Sequence, residues 1–157
     1  MDTAPVVHDT FVLRRTYPLP ATRLFAAFAD PAKKRRWYAE AETHDVEAYE
    51  MEFRAGGIER FRYRFREGTP FPGVELSSEG VFQEITHERR IVTASRMLLG
   101  EHCISATLVT IEIFPTAEGC ELVCTHQGAF FEGSDGPQMR KAGWEALFDK
   151  LAQQLGN

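Results

Sequence analysis

The sequence predicts an α+β fold in which one long C-terminal helix lies across a curved antiparallel sheet. Three observations predict it. Residues 136–155 carry Trp144, Leu147, Phe148, Leu151 and Leu155 at i, i+3, i+4, i+7 and i+11, a single apolar stripe on a helix. Residues 60–66 alternate Arg60, Arg62, Arg64 and Arg66 with Phe61, Tyr63 and Phe65, the period-two pattern of a strand. Further strand-like segments follow one another across short turns, a spacing that pairs neighbours antiparallel. A lone helix must bury its stripe, and the sheet is the only large partner in the chain. A curved sheet around one helix need not fill its interior, so a cavity between them is expected.

The elements read in order as follows. Residues 11–17 form a first strand, ended by Pro18 and Pro20. Residues 21–29 form a short helix with Leu24, Phe25 and Phe28 on one face. Asp30-Pro31 breaks it and starts a second short helix through Trp37. Residues 44–53 are a weaker strand, and Gly56-Gly57 is a turn. In the strand at 60–66 the aromatic face looks inward, and the arginine face looks at water or at acidic neighbours. Residues 68–73, with Pro70 and Pro72, are a loop. Residues 74–85 are a strand with Gly80 as a bulge or point of curvature. Residues 90–97, 103–114 and 121–127 complete the sheet, separated by turns at 86–88, Gly100 and 115–119. A Gly-rich loop then leads into the last helix. No repeat or linker appears, so one domain over residues 1–157 is expected.

Composition narrows the function classes. The chain has 157 residues, enough for a full core without staples. A formal net charge of -5 weighs against nucleic acid as a partner. The basic cluster Lys33, Lys34, Arg35 and Arg36 is local and reads as a solvated helix face. No apolar run reaches transmembrane length, and the first ten residues hold no signal-peptide core, so no membrane association is expected. Cys103, Cys120 and Cys124 are odd in number and read as free thiols of a cytoplasmic protein.

Several segments together resemble a known family. ATRLFAAFADPAKKRRWY (residues 21–38) is similar to the opening helix, Asp-Pro and Trp of START-like domains, also called SRPBCC or helix-grip domains. GVFQEITHERRIV (80–92) resembles their Gly-x-x-x-Glu-Ile segment, CELVCTHQG (120–128) their penultimate segment, and Gly143-Trp144 the Gly-Trp of their last helix. Within that superfamily the chain looks most like homologues of the activator of the heat-shock-protein-ninety ATPase. The chain departs where Thr86-His87 replaces a usual Pro and where Arg96-Met97 replaces an aromatic. The resemblance covers about residues 8–155 and implies a seven-stranded antiparallel sheet gripping the C-terminal helix, with two short helices after the first strand. It also implies a cavity between sheet and helix. Members bind lipids, hormones or polyketides, some are cyclases or hydrolases, and some act as co-chaperones, so fold does not settle function.

Three sets of residues invite chemistry. His126 shares a strand face with Leu122 and Cys124; facing inward it orients a ligand or works as acid or base, and otherwise it is a hydrogen-bonded structural histidine. Cys120, Cys124 and His126 share one parity, but three residues along a flat strand do not converge tetrahedrally, so no metal site is expected. Glu84 shares parity with Phe82; a buried carboxylate there needs a partner, and Arg96 on the next strand is the obvious one. The pair anchors a polar head group, or it is a structural ion pair, or Glu84 is a carboxylate at the pocket mouth. Phe28, Trp37, Phe53, Phe61, Tyr63, Phe65, Phe82, Trp144 and Phe148 complete the cavity candidates, and for any one of these aromatics ordinary core packing is the favoured reading. No nucleophile elbow, zincin motif or dinucleotide loop is present.

The reading that leads is a non-catalytic domain that takes a small hydrophobic molecule between sheet and helix, with no cofactor. Two alternatives stand beside it. One is a co-chaperone-like protein-interaction module tied to the stress response. The other is a cyclase- or hydrolase-type enzyme using His126 or the Glu84 carboxylate. A homodimer through a sheet edge or the outer face is compatible with each.

Overall fold

Seven antiparallel strands form one sheet in the order β1-β7-β6-β5-β4-β3-β2, and a 20-residue helix lies across its inner face. The computed structural model describes residues 5–156. In chain order the elements are β1 (Val7–Tyr17), α1 (Ala21–Ala29), α2 (Pro31–Lys34), a π-helical turn (Arg35–Ala39), β2 (His44–Met51), β3 (Ile58–Phe65), β4 (Glu75–Thr86), β5 (Arg90–Leu99), β6 (His102–Pro115), β7 (Cys120–Phe130) and α3 (Gly136–Leu155). This is the α+β helix-grip architecture that the sequence predicts. The bounds of α1 and α3 agree with the periodicity.

The junction between α1 and α2 follows from Asp30. Its backbone N–H closes α1 on the carbonyl of Ala26 at 3.0 Å, and its side chain accepts from the N–H groups of Ala32 and Lys33 at 2.9 and 3.3 Å. Pro31 follows in the first turn, where its missing N–H costs nothing. The helix then widens into the π turn, whose i→i+5 bond runs from Glu40 N–H to the Arg35 carbonyl at 3.0 Å. That turn carries Trp37, which is fully buried and donates from Nε1 to the Ala27 carbonyl at 2.9 Å.

Strand β1 starts at Val7, earlier than the pattern predicts, because residues 7–10 are all exposed and carry no alternation. Pairing holds them: Val7 to Tyr17 run opposite Phe130 to Cys120. Strand β7 extends past residue 127 through the same pairing. Gly128 stands in that extension, where a Cβ would come within 2.9 Å of the Phe130 ring and 3.2 Å of the His126 ring.

The sheet packs α1 and α3 over a core in which Leu24, Trp37, Phe82, Leu122, Phe148 and Leu151 are fully buried. On the outer face the arginines of β3 meet acids across the sheet: Arg60 to Glu50 at 3.0 Å, Arg64 to Glu47 at 3.1 Å, and Arg62 to Glu75 at 3.3 Å. Arg66 reaches Asp45 at 2.7 Å.

The β4–β5 ladder slips between Phe82 and Glu84, so the bulge lies at Gln83 and not at Gly80. Gly80 pairs regularly with Ser95; a Cβ there would stand 3.1 Å from Thr93 Cγ2 and 3.2 Å from Ser95 Cβ. The glycine serves a close approach of strands.

Candidate functional site

Between α3 and the inner face of the sheet lies a cavity of about 50 Å³, room for a few water molecules. Its roof is Phe28 of α1, Lys34 of α2, Trp37 and Tyr38 of the π turn, and Arg140 and Trp144 of α3. Its floor is Glu59, Ser78, Ile91, Thr93, Ser95, Met97, Thr107, Val109, Ile111 and His126, drawn from five adjacent strands.

The floor mixes aliphatic and hydroxyl side chains. Along β5, Ile91, Thr93, Ser95 and Met97 all face it by period two. Ser95 Oγ and Thr107 Oγ1 lie 3.1 Å apart and share a hydrogen bond.

Two charged pairs flank the space. Lys34 Nζ stands 2.7 and 2.9 Å from the carboxylate oxygens of Glu59, and Tyr49 donates its hydroxyl to the same carboxylate at 2.7 Å. The ammonium also lies 4.5 Å from the centroid of the Tyr38 ring. On the other side Arg140 makes two 2.8 Å bonds to Asp135 and a 3.0 Å bond to Ser105 Oγ, with its guanidinium 5.2 Å from the Phe130 ring. Burial by itself would raise the Asp135 carboxyl, but the Arg140 bonds hold it below the usual range. Burial, and then the nearby Glu59 charge, push the Tyr38 phenol well above its ordinary value.

His126 sits among aromatics. It stacks on Phe11 at 4.5 Å, lies nearly parallel to Phe130 at 6.2 Å, and meets Trp144 edge-on at 6.3 Å. The residue is 1% exposed, and Nδ1 has no hydrogen-bond partner among the other described residues. Burial first, and the Arg140 charge second, push the imidazole down to about 4, so it is neutral near pH 7. Cys124, on the same face, is pushed up to about 12 by burial and stays a thiol.

The sequence-predicted site residues divide into three groups. Phe28, Trp37, His126 and Trp144 line the cavity. Phe82 and Phe148 are solid core, while Phe53 packs edge-on against Phe25 and Phe82. Phe61 packs on Tyr38, Tyr63 stacks on His44 at 3.6 Å, and Phe65 turns its edge to Tyr63. Glu84 and Arg96 form no pair. The bulge at Gln83 turns Glu84 away from the face of Phe82, and it binds Arg90 at 2.7 Å and the Thr86 hydroxyl. Arg96 binds Glu79 at 3.0 Å on the outer face. Lys34 is likewise not part of a solvated face; its side chain is 8% exposed.

Sequence reasoning missed Lys34, Tyr38, Glu59, Arg140 and the hydroxyl row. Signals existed for two of them. Glu59 has the parity of Phe61, and Arg140 precedes Trp144 and Phe148 at i−4 and i−8 on the apolar stripe.

The comparisons with known proteins agree with this architecture. A family model described as Activator of Hsp90 ATPase homolog 1-like protein matches residues 18–156. An uncharacterized protein from Rhizobium leguminosarum is 30% identical, over 97% of this chain and 97% of its own, with a TM-score of 0.89. The Mll3558 protein from Rhizobium loti is 38% identical, over 96% of this chain and 99% of its own, with a TM-score of 0.84. An AHSA1-like protein from Aeromonas hydrophila shares the fold at 15% identity and a TM-score of 0.69, with 94% of this chain and 92% of its own covered. No curated protein matches the chain. The chain is a START-like domain, and it belongs to the Activator of Hsp90 ATPase homolog 1-like family.

Proposed function

We propose that the domain binds a small, mostly apolar molecule in the cavity between sheet and α3, without transforming it. One observation carries the reading. Serine and threonine hydroxyls, a neutral imidazole, the Lys34–Glu59 pair and Arg140 converge on one cavity beside aliphatic and aromatic side chains. The His126 Nδ1 has no partner among the other described residues, and a guest with an apolar body and a polar anchor satisfies it.

The size of the space limits the guest. At about 50 Å³ it lies well below the roughly 300–1,000 Å³ of a drug-sized site. A larger guest requires lining side chains to move, and Trp144 and Met97 among them are only half-buried. Burial of the guest contributes about 25 cal/mol per Å² before the costs of association. A thermal-shift and native mass-spectrometry screen with small aromatic and aliphatic molecules tests this. The expected result is a rise in melting temperature that a cavity-filling Ser95→Leu variant loses. A screen in which nothing binds the native protein overturns the reading.

A second reading has its own support. The family description names an ATPase activator of a chaperone. On the outer sheet face Ile58, Val81, Ala94 and Leu108 also align across four strands as an apolar row. As a protein-interaction surface this row predicts that Val81→Glu weakens capture of a chaperone from a stressed-cell extract. Equal capture by both proteins removes that support.

A further inference from the structure

We propose that the cavity selects an uncharged guest bearing a hydroxyl on its apolar body, and that this hydroxyl meets the His126 imidazole. The proposal rests on the binding reading above and narrows it to a chemical class.

Charge balance makes the first half of the argument. Two cations flank the cavity, and each already faces its own carboxylate: Lys34 faces Glu59 at 2.7 Å, and Arg140 faces Asp135 at 2.8 Å. Arg140 also spends a donor on Ser105, and Glu59 accepts from Tyr49. A guest carboxylate or phosphate would find no free counter-charge, and it would have to compete with Asp135 or Glu59 for a cation. A guest ammonium meets the same difficulty in reverse, with an additional like charge beside it. Removing either ion from water without a partner is strongly unfavourable.

Hydrogen-bond complementarity makes the second half. Burial keeps the His126 ring neutral, so it presents one donor nitrogen and one acceptor nitrogen. Among the described residues Nδ1 has no partner beyond its own residue, and the ring lines the cavity. Hydroxyls of Ser78, Thr93, Ser95 and Thr107 lie across the same floor. A guest hydroxyl both donates and accepts, so it satisfies either tautomer of the ring and either rotor of the serines and threonines. A carboxylate only accepts. The rings of Phe28, Trp37 and Trp144, which line the same cavity, supply flat apolar surface for the rest of a small aromatic guest.

The test uses three probes that share one ring: phenol, benzene and benzoate, titrated at pH 7 into the intact protein. Binding is followed by calorimetry, and the His126 ring nitrogens by ¹⁵N NMR. Phenol is expected to bind at least tenfold tighter than benzoate and severalfold tighter than benzene, and it alone shifts the His126 ring nitrogens. His126→Leu is expected to bring phenol down to the affinity of benzene. The ring-nitrogen shifts of the native protein decide between the outcomes even where that variant folds poorly. Benzoate binding as tightly as phenol, or phenol binding with the ring nitrogens unmoved, overturns the inference while leaving a binding cavity in place. If none of the three binds, the hydroxyl selection is overturned, while the binding reading stands or falls on its own wider screen.

Discussion

Lys34 and Glu59 meet as a buried ion pair, nitrogen to oxygen 2.7 Å, with side chains 8% and 6% exposed. The pair ties α2 to β3 beneath the π turn. Its Coulomb attraction in a low-dielectric site offsets the desolvation of both ions, helped by the Tyr49 hydroxyl on Glu59 and the Tyr38 ring under Lys34. Removing one partner leaves the other charge buried alone. Glu59→Leu is expected to lower stability by about 3–5 kcal/mol, read from urea unfolding. The double variant Lys34→Met with Glu59→Leu is expected to recover most of that loss. A double variant as unstable as the single one would show that the pair does more than cancel its own charges.

Tyr17 presents the opposite case. Its hydroxyl is buried with no hydrogen-bond partner among the described residues, and burial pushes the phenol up to about 12. A buried hydroxyl without a partner is destabilising, whereas the ring packs well. Tyr17→Phe is therefore expected to stabilise the protein by about 1 kcal/mol. Thermal melting of the two proteins side by side checks it, and a lower midpoint for the phenylalanine variant would count against the burial of that oxygen.

The buried imidazole sets a pH dependence. His126 titrates at about 4 in the fold and at 6.5 when free, so between those values the unfolded chain binds the extra proton. Stability is then full above pH 6.5 and falls as pH drops towards 4, by up to about 3 kcal/mol. His44 adds to the loss in the same direction, because burial lowers it too. A His126→Phe variant, which keeps the stack on Phe11, is expected to show a flatter stability profile between pH 6.5 and 4. An unchanged slope would remove His126 as its source.

Glu84 gives a negative control for the cavity. It lies on the outer side of the β4 bulge, paired with Arg90. Exposed pairs contribute little. Glu84→Gln is expected to leave both the melting temperature and the binding of any guest unchanged. A loss of binding would place this carboxylate on the inner side after all.

Much of the architecture is legible in the sequence because it rests on periodicity. The α3 stripe from Trp144 to Leu155, the Arg60 to Arg66 alternation and the Asp30-Pro31 break each encode a local geometry with one reading. The site is legible only in part. Parity places His126 on the inner face, and that parity survives because β7 pairs with β6 and β1 without a slip. Parity misplaces Glu84 because one extra residue at Gln83 reverses every side chain after it, and no local signal marks that residue. Lys34 is misread because a lysine in a basic cluster is usually solvated. Only its spatial encounter with Glu59, on a strand well removed in sequence, makes burial tolerable. The hydroxyl row on β5 escapes notice because Ser and Thr fit a strand on either face.

The pairing of β1 with β7 has a consequence for how the molecule comes into being. Tyr17 finds Cys120 and Val7 finds Phe130, so among the described residues the first strand of the sheet to leave the ribosome is paired with the last strand of the sheet made. Until then β1 has bare amide edges on both sides, and its closure must wait while a long loop is drawn together. Nascent chains halted before residue 120 should expose this segment to proteases and to chaperones that hold extended peptides, and release of the remainder should protect it.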